Sequence, residues 1–167
     1  LCDEVAMIIS PQNPFKQNWE LAGEMDRYSM VEAACRNSRY PEQIKPSVIE
    51  FLLEKPSYTV NTLQHLSENY GDQMEFSILM GADNIENFHR WKNSEQIIAN
   101  YPILVYPRRG YSLSRSQYAD RVVFLENAPL FDFSATDVRT AIAEGGDISE
   151  MVISEVESYI KQNKIYG

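Results

Sequence analysis

The chain has 167 residues, 44% of them hydrophobic and 23% charged, with a formal net charge of −9, the balance of a globular protein with one full core, read as a single domain over residues 1–167. That acidity excludes a broad basic face for a nucleic-acid backbone, while a local cationic pocket for a small phosphorylated metabolite remains open. Apolar runs such as residues 5–9 are far too short to cross a bilayer, Cys2 and Cys35 have no metal-ligand spacing, and no signal-peptide pattern opens the sequence, so a soluble protein of the reducing cytoplasm is expected.

Residues 5–9 form a continuous apolar run stopped by Ser10-Pro11, which predicts a buried parallel strand. Apolar and small residues recur near a helical period from Met25 to Cys35, and Tyr40-Pro41 breaks the pattern. Residues 44–53 are ambiguous and read as extended. Val60, Leu63, Leu66 and Tyr70 stand at steps of three, three and four, an amphipathic helix over 59–70 closed by Gly71. Strands are predicted at 76–80, at 103–106 behind Pro102, and at 122–125. A capped helix is predicted at 94–99, and a last helix with an S-x-x-E box of Ser154 and Glu157 buries Val156, Tyr159 and Ile160. Strands alternating with helices predict an α/β protein with a parallel sheet.

In such sheets ligands bind beyond the carboxyl ends of the strands. There the sequence places the two-proline loop with Lys16, then Gly81-Ala82-Asp83-Asn84, then Pro107-Arg108-Arg109-Gly110, and finally the loop ending in Ser134-Ala135-Thr136. Cations gathered with a glycine and a helix start at one rim suit a polyphosphate. Taken singly, each is also an ordinary polar loop, and arginine pairs are common on surfaces.

The stretch Phe133-Ser134-Ala135-Thr136-Asp137-Val138-Arg139 is the most informative. Ser134 and Asp137 stand in a capping-box relation, so a helix is expected to begin at Thr136 or one residue before it. Its unpaired N–H groups, the positive end of its dipole, the hydroxyls of Ser134 and Thr136 and the guanidinium of Arg139 would converge on one anion. A capped surface helix with a solvated arginine is the other reading.

Three segments carry a resemblance. Pro56-Ser57-Tyr58-Thr59 with Thr62-Leu63 resembles a PSYT-x-x-TL signature, Gly81 to Asn84 with Phe88 and Trp91 is similar to GADN…F-x-x-W, and Phe133 to Arg139 is similar to ISSTxIR. In that order they resemble bacterial nicotinate mononucleotide adenylyltransferase. The last motif marks the whole nucleotidyltransferase superfamily, and the first two separate this branch from phosphopantetheine adenylyltransferase and the cytidylyltransferases. The resemblance implies a Rossmann-like parallel sheet flanked by helices, of nucleotidyltransferase type. It also implies transfer of an adenylyl group from Mg2+-bound ATP to nicotinate mononucleotide, with pyrophosphate as the second product, in NAD biosynthesis. By the same resemblance Ser134, Thr136 and Arg139 hold the ATP phosphates, with Arg139 stabilising the transition state, and Gly81 and Asp83 meet a ribose. Trp91 stacks on the nicotinate ring, Thr59 fixes its carboxylate through the backbone N–H, Lys16 and Arg108 contact phosphate, and no metal is held by the protein itself. Tyr58 reads as packing, and Trp91 also reads as an aromatic covering the core.

The sequence departs from the family at three places. Ala135 replaces a serine but keeps the N–H that faces phosphate, and Phe15 stands where many relatives have histidine. The G-x-F-x-P-x-H-x-G-H segment, whose histidines stabilise the transition state, is absent; His65 reads as solvated or partly packed, and His89, beside Arg90 and Trp91, could approach the nicotinate site but is not read as catalytic. A longer natural chain, with an additional strand, loop and helix of about 20–25 residues before Leu1, is therefore expected. The alternatives are a phosphopantetheine or nicotinamide mononucleotide adenylyltransferase, or a non-catalytic nucleotide-binding module. Acid against amide and the oligomeric state, homo-oligomer included, are left open by sequence.

Overall fold

The computed structural model describes residues 2–11 and 21–167. Their contacts group into two compact units, residues 1–57 with 133–167 and Tyr58–Asp132, and each is described by itself.

In the first unit, β1 (Val5–Ile8) pairs in parallel with β2 (Ile44–Ser47), Val5 opposite Ile44 and Ile8 opposite Ser47. Pro46 has no N–H to give a ladder, so β2 suits a sheet edge. The parallel pairing agrees with the sequence; the burial does not. Met7 and Ile8 are 44% and 38% exposed, and of the run only Ile9 is fully buried, because a two-stranded ribbon leaves more of its surface open than a wide sheet. The extended reading of 44–53 holds only to Ser47, after which Ile49–Leu52 tightens into a 3-10 turn with Glu50 buried. Helix α1 (Glu24–Arg36) carries Glu24 and Asp26 in its first turn and Arg36 in its last, complementing its dipole.

The second unit holds α2 (Thr59–Tyr70), β3 (Ile78–Gly81), α3 (Ala82–Glu86), α4 (Ser94–Asn100), β4 (Ile103–Tyr106) and β5 (Val123–Phe124). The three strands are parallel with β4 in the middle, Ile78 opposite Ile103 and Val105 opposite Phe124. One face of β4 supplies Ile103 and Val105 to a core with Ile85, Phe88, Ile97, Val60, Leu63 and Tyr118. Phe88 and Tyr118 meet edge-on at 5.2 Å between ring centroids, a favoured aromatic geometry. Helix α2 has the expected residues, except that Tyr70 in its last turn is exposed. The capped helix expected at 94–99 also differs: Asn93, in the left-handed region, is the N-cap and no side chain caps it. The hydroxyl of Ser94 turns inward instead, 3.4 Å from that of Tyr118.

Back in the first unit, α5 (Ala135–Ala143) and α6 (Ser154–Asn163) pack Val138, Ala141, Val156 and Ile160 around Ile148 and Ile165. Tyr159 donates a 3.0 Å hydrogen bond to Asp26, joining α6 to α1. The expected Ser154–Glu157 box does not form; Ile153 occupies the N-cap, one residue earlier, and Ser154 donates to Glu155.

Candidate active site

Helix α5 opens where its sequence says it should, at Ala135, with the capping box complete. The N–H and the hydroxyl of Ser134 both donate to Oδ2 of Asp137, at 2.6 and 2.7 Å, and the N–H of Asp137 returns to the Ser134 oxygen at 3.3 Å. Ser134 is thus occupied in building the turn, and its hydroxyl is not offered outward as the sequence reading expected. What the turn offers is its opening N–H groups, which have no acceptor within a helix, at the exposed residues Ala135 and Thr136. One turn on, the guanidinium of Arg139 folds back to donate to the hydroxyl of Thr136 at 2.9 Å. A cation and a hydroxyl therefore stand together over the positive end of the helix, the chemistry that an anion requires.

In the second unit, Gly81 ends β3 and Asp83 lies in the first turn of α3, so the residues expected to form a loop are helical from Ala82. Asp83 turns back toward Arg108, which follows β4, with 3.7 Å between Oδ1 and Nε. That is an ionic contact too long for a hydrogen bond. Oδ1 is shielded from solvent and accepts no hydrogen bond among the described residues. A shielded carboxylate oxygen without a donor is costly, and the charge of Arg108 beside it offsets part of that cost. A Cβ at Gly81 would stand 2.3 Å from this oxygen and 2.9 Å from Cγ of Arg108, so the arrangement requires glycine.

Thr59 is the first residue of α2 and Tyr58 its N-cap, with no side-chain cap bond. Trp91 is half-buried with one side on Phe88, ring centroids 5.2 Å apart. Core-covering and ligand-stacking are thus compatible, since the two rings are tilted by 54° and Trp91 is only partly buried. Lys92, which the sequence reading passed over, reaches the Tyr58 ring with 4.3 Å from Nζ to the centroid. A lysine directly after a proposed stacking aromatic was the available signal.

Other expected residues do not join these groups. Arg109 is paired with Asp132 at 2.8 Å on the surface, both side chains about 70% exposed. His89 is exposed and His65 partly buried. Lys16 and Phe15 lie outside the described residues. Among the described residues no cluster of three His, Cys, Asp or Glu could hold a metal ion, and no helix is long and apolar enough to cross a membrane.

The family described as cytidylyltransferase-like matches residues 1–141. A protein of Cytophaga hutchinsonii described as a probable nicotinate-nucleotide adenylyltransferase is 43% identical over 99% of this chain and 83% of its own length. A similarly described protein of Flavobacterium johnsoniae is 38% identical over 98% of the chain and 83% of its length. The solved nicotinic acid mononucleotide adenylyltransferase of Plasmodium falciparum, complexed with NaAD, superposes with a TM-score of 0.79 at 16% identity, over 98% of this chain and 82% of that one. At that identity the likeness is one of fold.

Proposed function

The chain belongs to the nicotinate-nucleotide adenylyltransferase family, and from that premise we propose that it transfers the adenylyl group of ATP to nicotinate mononucleotide in the cytoplasm. An oxygen of the mononucleotide 5′-phosphate attacks the α-phosphorus, the bond from that phosphorus to the bridging oxygen breaks, and pyrophosphate leaves as nicotinate adenine dinucleotide forms. No protein nucleophile is needed, only in-line positioning and neutralisation of charge on the leaving group. Mg2+ enters as part of the substrate, on the triphosphate.

The observation that carries this reading is the Arg139–Thr136 bond at the opening of α5. It supports a triphosphate held by Arg139, by the Thr136 hydroxyl and by the first N–H groups of the helix, with Ser134 shaping the turn. Asp83 accepts a ribose hydroxyl at its outward oxygen, Gly81 leaves the space that the inward oxygen and Arg108 occupy, and Arg108 beside it meets phosphate, as does Lys16. Thr59 offers its N–H to the nicotinate carboxylate and Trp91 its open face to the ring.

The test is pyrophosphate release from Mg2+·ATP with nicotinate mononucleotide, nicotinamide mononucleotide and phosphopantetheine as acceptors. The nicotinate compound should give by far the highest kcat/KM. Faster turnover with either other acceptor overturns the substrate assignment, and ATP binding without pyrophosphate release from any acceptor makes the chain a nucleotide-binding module.

A further inference from the structure

Thr59 and Trp91 come from different segments, the start of α2 and the end of the 3-10 turn at Phe88–Arg90. The residues next to them, Tyr58 and Lys92, are in direct contact, with the Lys92 ammonium 4.3 Å from the centre of the Tyr58 ring. This contact joins the two segments and also fixes where a positive charge stands. A free surface lysine spreads its charge over many rotamers; one held on an aromatic face does not. An ammonium has three donors, and the ring face takes up one side of it, leaving N–H groups for an oxygen acceptor. In a chain of net charge −9, whose long-range field repels anions, a fixed local cation is a feature that an acid can use and its amide cannot.

We infer that Lys92 is a specificity-determining residue, held by Tyr58, that favours a pyridine ring bearing a carboxylate over the same ring bearing a carboxamide. The inference rests on the proposed stacking of that ring on Trp91. The ammonium attracts the carboxylate by charge and hydrogen bonding together, whereas the neutral amide offers one carbonyl oxygen and no charge. Because Lys92 is exposed to solvent, the charge contributes modestly, about two- to fivefold in affinity.

The experiment measures dissociation constants of nicotinate and nicotinamide mononucleotides by tryptophan fluorescence, for the full chain and for K92M, K92R and Y58L, with pyrophosphate release recorded in parallel. K92M should weaken the acid about two- to fivefold and leave the amide nearly unchanged, K92R should keep most of the preference, and Y58L should lose part of it. The preference of the unaltered protein should shrink as salt is raised. Equal weakening of both ligands by K92M, or an unchanged preference, overturns the role of Lys92 while leaving the reaction intact if pyrophosphate release persists. Failure of the unaltered protein to bind either mononucleotide overturns both this inference and the reaction on which it rests.

Discussion

The carboxylate of Asp83 and the guanidinium of Arg108 face each other over the bare Cα of Gly81, Oδ1 3.7 Å from Nε. Gly81 has φ −79°, a backbone that any residue adopts, so the glycine serves the two side chains and not the turn. Gly81→Ala would place its Cβ 2.3 Å from Oδ1 and 2.9 Å from Cγ of Arg108, and the flexible side chains would yield before the backbone. The variant should melt within a few degrees of the parent, a loss of about 1–2 kcal/mol, while kcat/KM falls at least about tenfold. Differential scanning calorimetry beside steady-state kinetics checks this; unchanged kinetics would show that the Asp83–Arg108 pair is only structural.

Arg139→Ala removes the cation at the opening of α5. A charge-assisted contact to the departing pyrophosphate counts for more in the transition state than in the ground state, so kcat should fall together with a rise in KM for ATP. A lower melting temperature with unchanged ATP kinetics would reassign Arg139 to holding Thr136 and its turn.

Trp91→Ala removes both the exposed part of the ring and its packing against Phe88. Stability should drop, but the ligand effect should be selective: stacking contributes about 1–1.5 kcal/mol, so the pyridine mononucleotide should weaken roughly tenfold and ATP much less. Isothermal titration with each ligand separates them. Equal losses for both would leave Trp91 with packing alone.

Acid stability has identifiable contributors. The carboxyl of Glu95 is held below its usual range first by a 2.8 Å hydrogen bond from Arg121 and then by one from Tyr118. Asp147 is lowered by the N–H and then by the hydroxyl of Ser149. A depressed folded value means stabilisation that is whole above the ordinary carboxylate range, near pH 4, and is lost as the pH falls through the lowered value. The melting temperature of the parent should therefore decline below about pH 4, and Glu95→Gln should remove part of that decline while leaving the alkaline side unchanged. A parallel acid decline in the parent and Glu95→Gln would remove Glu95 from the account.

Local chemistry was legible from residue order. Helix α2 follows from apolar residues at helical spacing, and β4 from a short β-branched run behind Pro102. The start of α5 at Ala135 follows from a capping box whose two members lie three residues apart, within reach of each other before anything else folds. The box at Ser154 and the plain serine cap at Ser94 misled, because a serine caps only from the N-cap position, and a one-residue shift left Ile153 and Asn93 there instead. Motif resemblance named the family, while side-chain direction lay beyond it. That the Ser134 hydroxyl turns to Asp137, that Arg109 is absorbed by Asp132 at the surface, that Asp83 reaches Arg108 over Gly81 and that Lys92 rests on Tyr58 are contacts decided by the fold. The last three join residues separated by 23 or more positions, and no local propensity encodes which of several partners a long flexible side chain will meet. Only packing brings them within reach, and burial and charge then select among them.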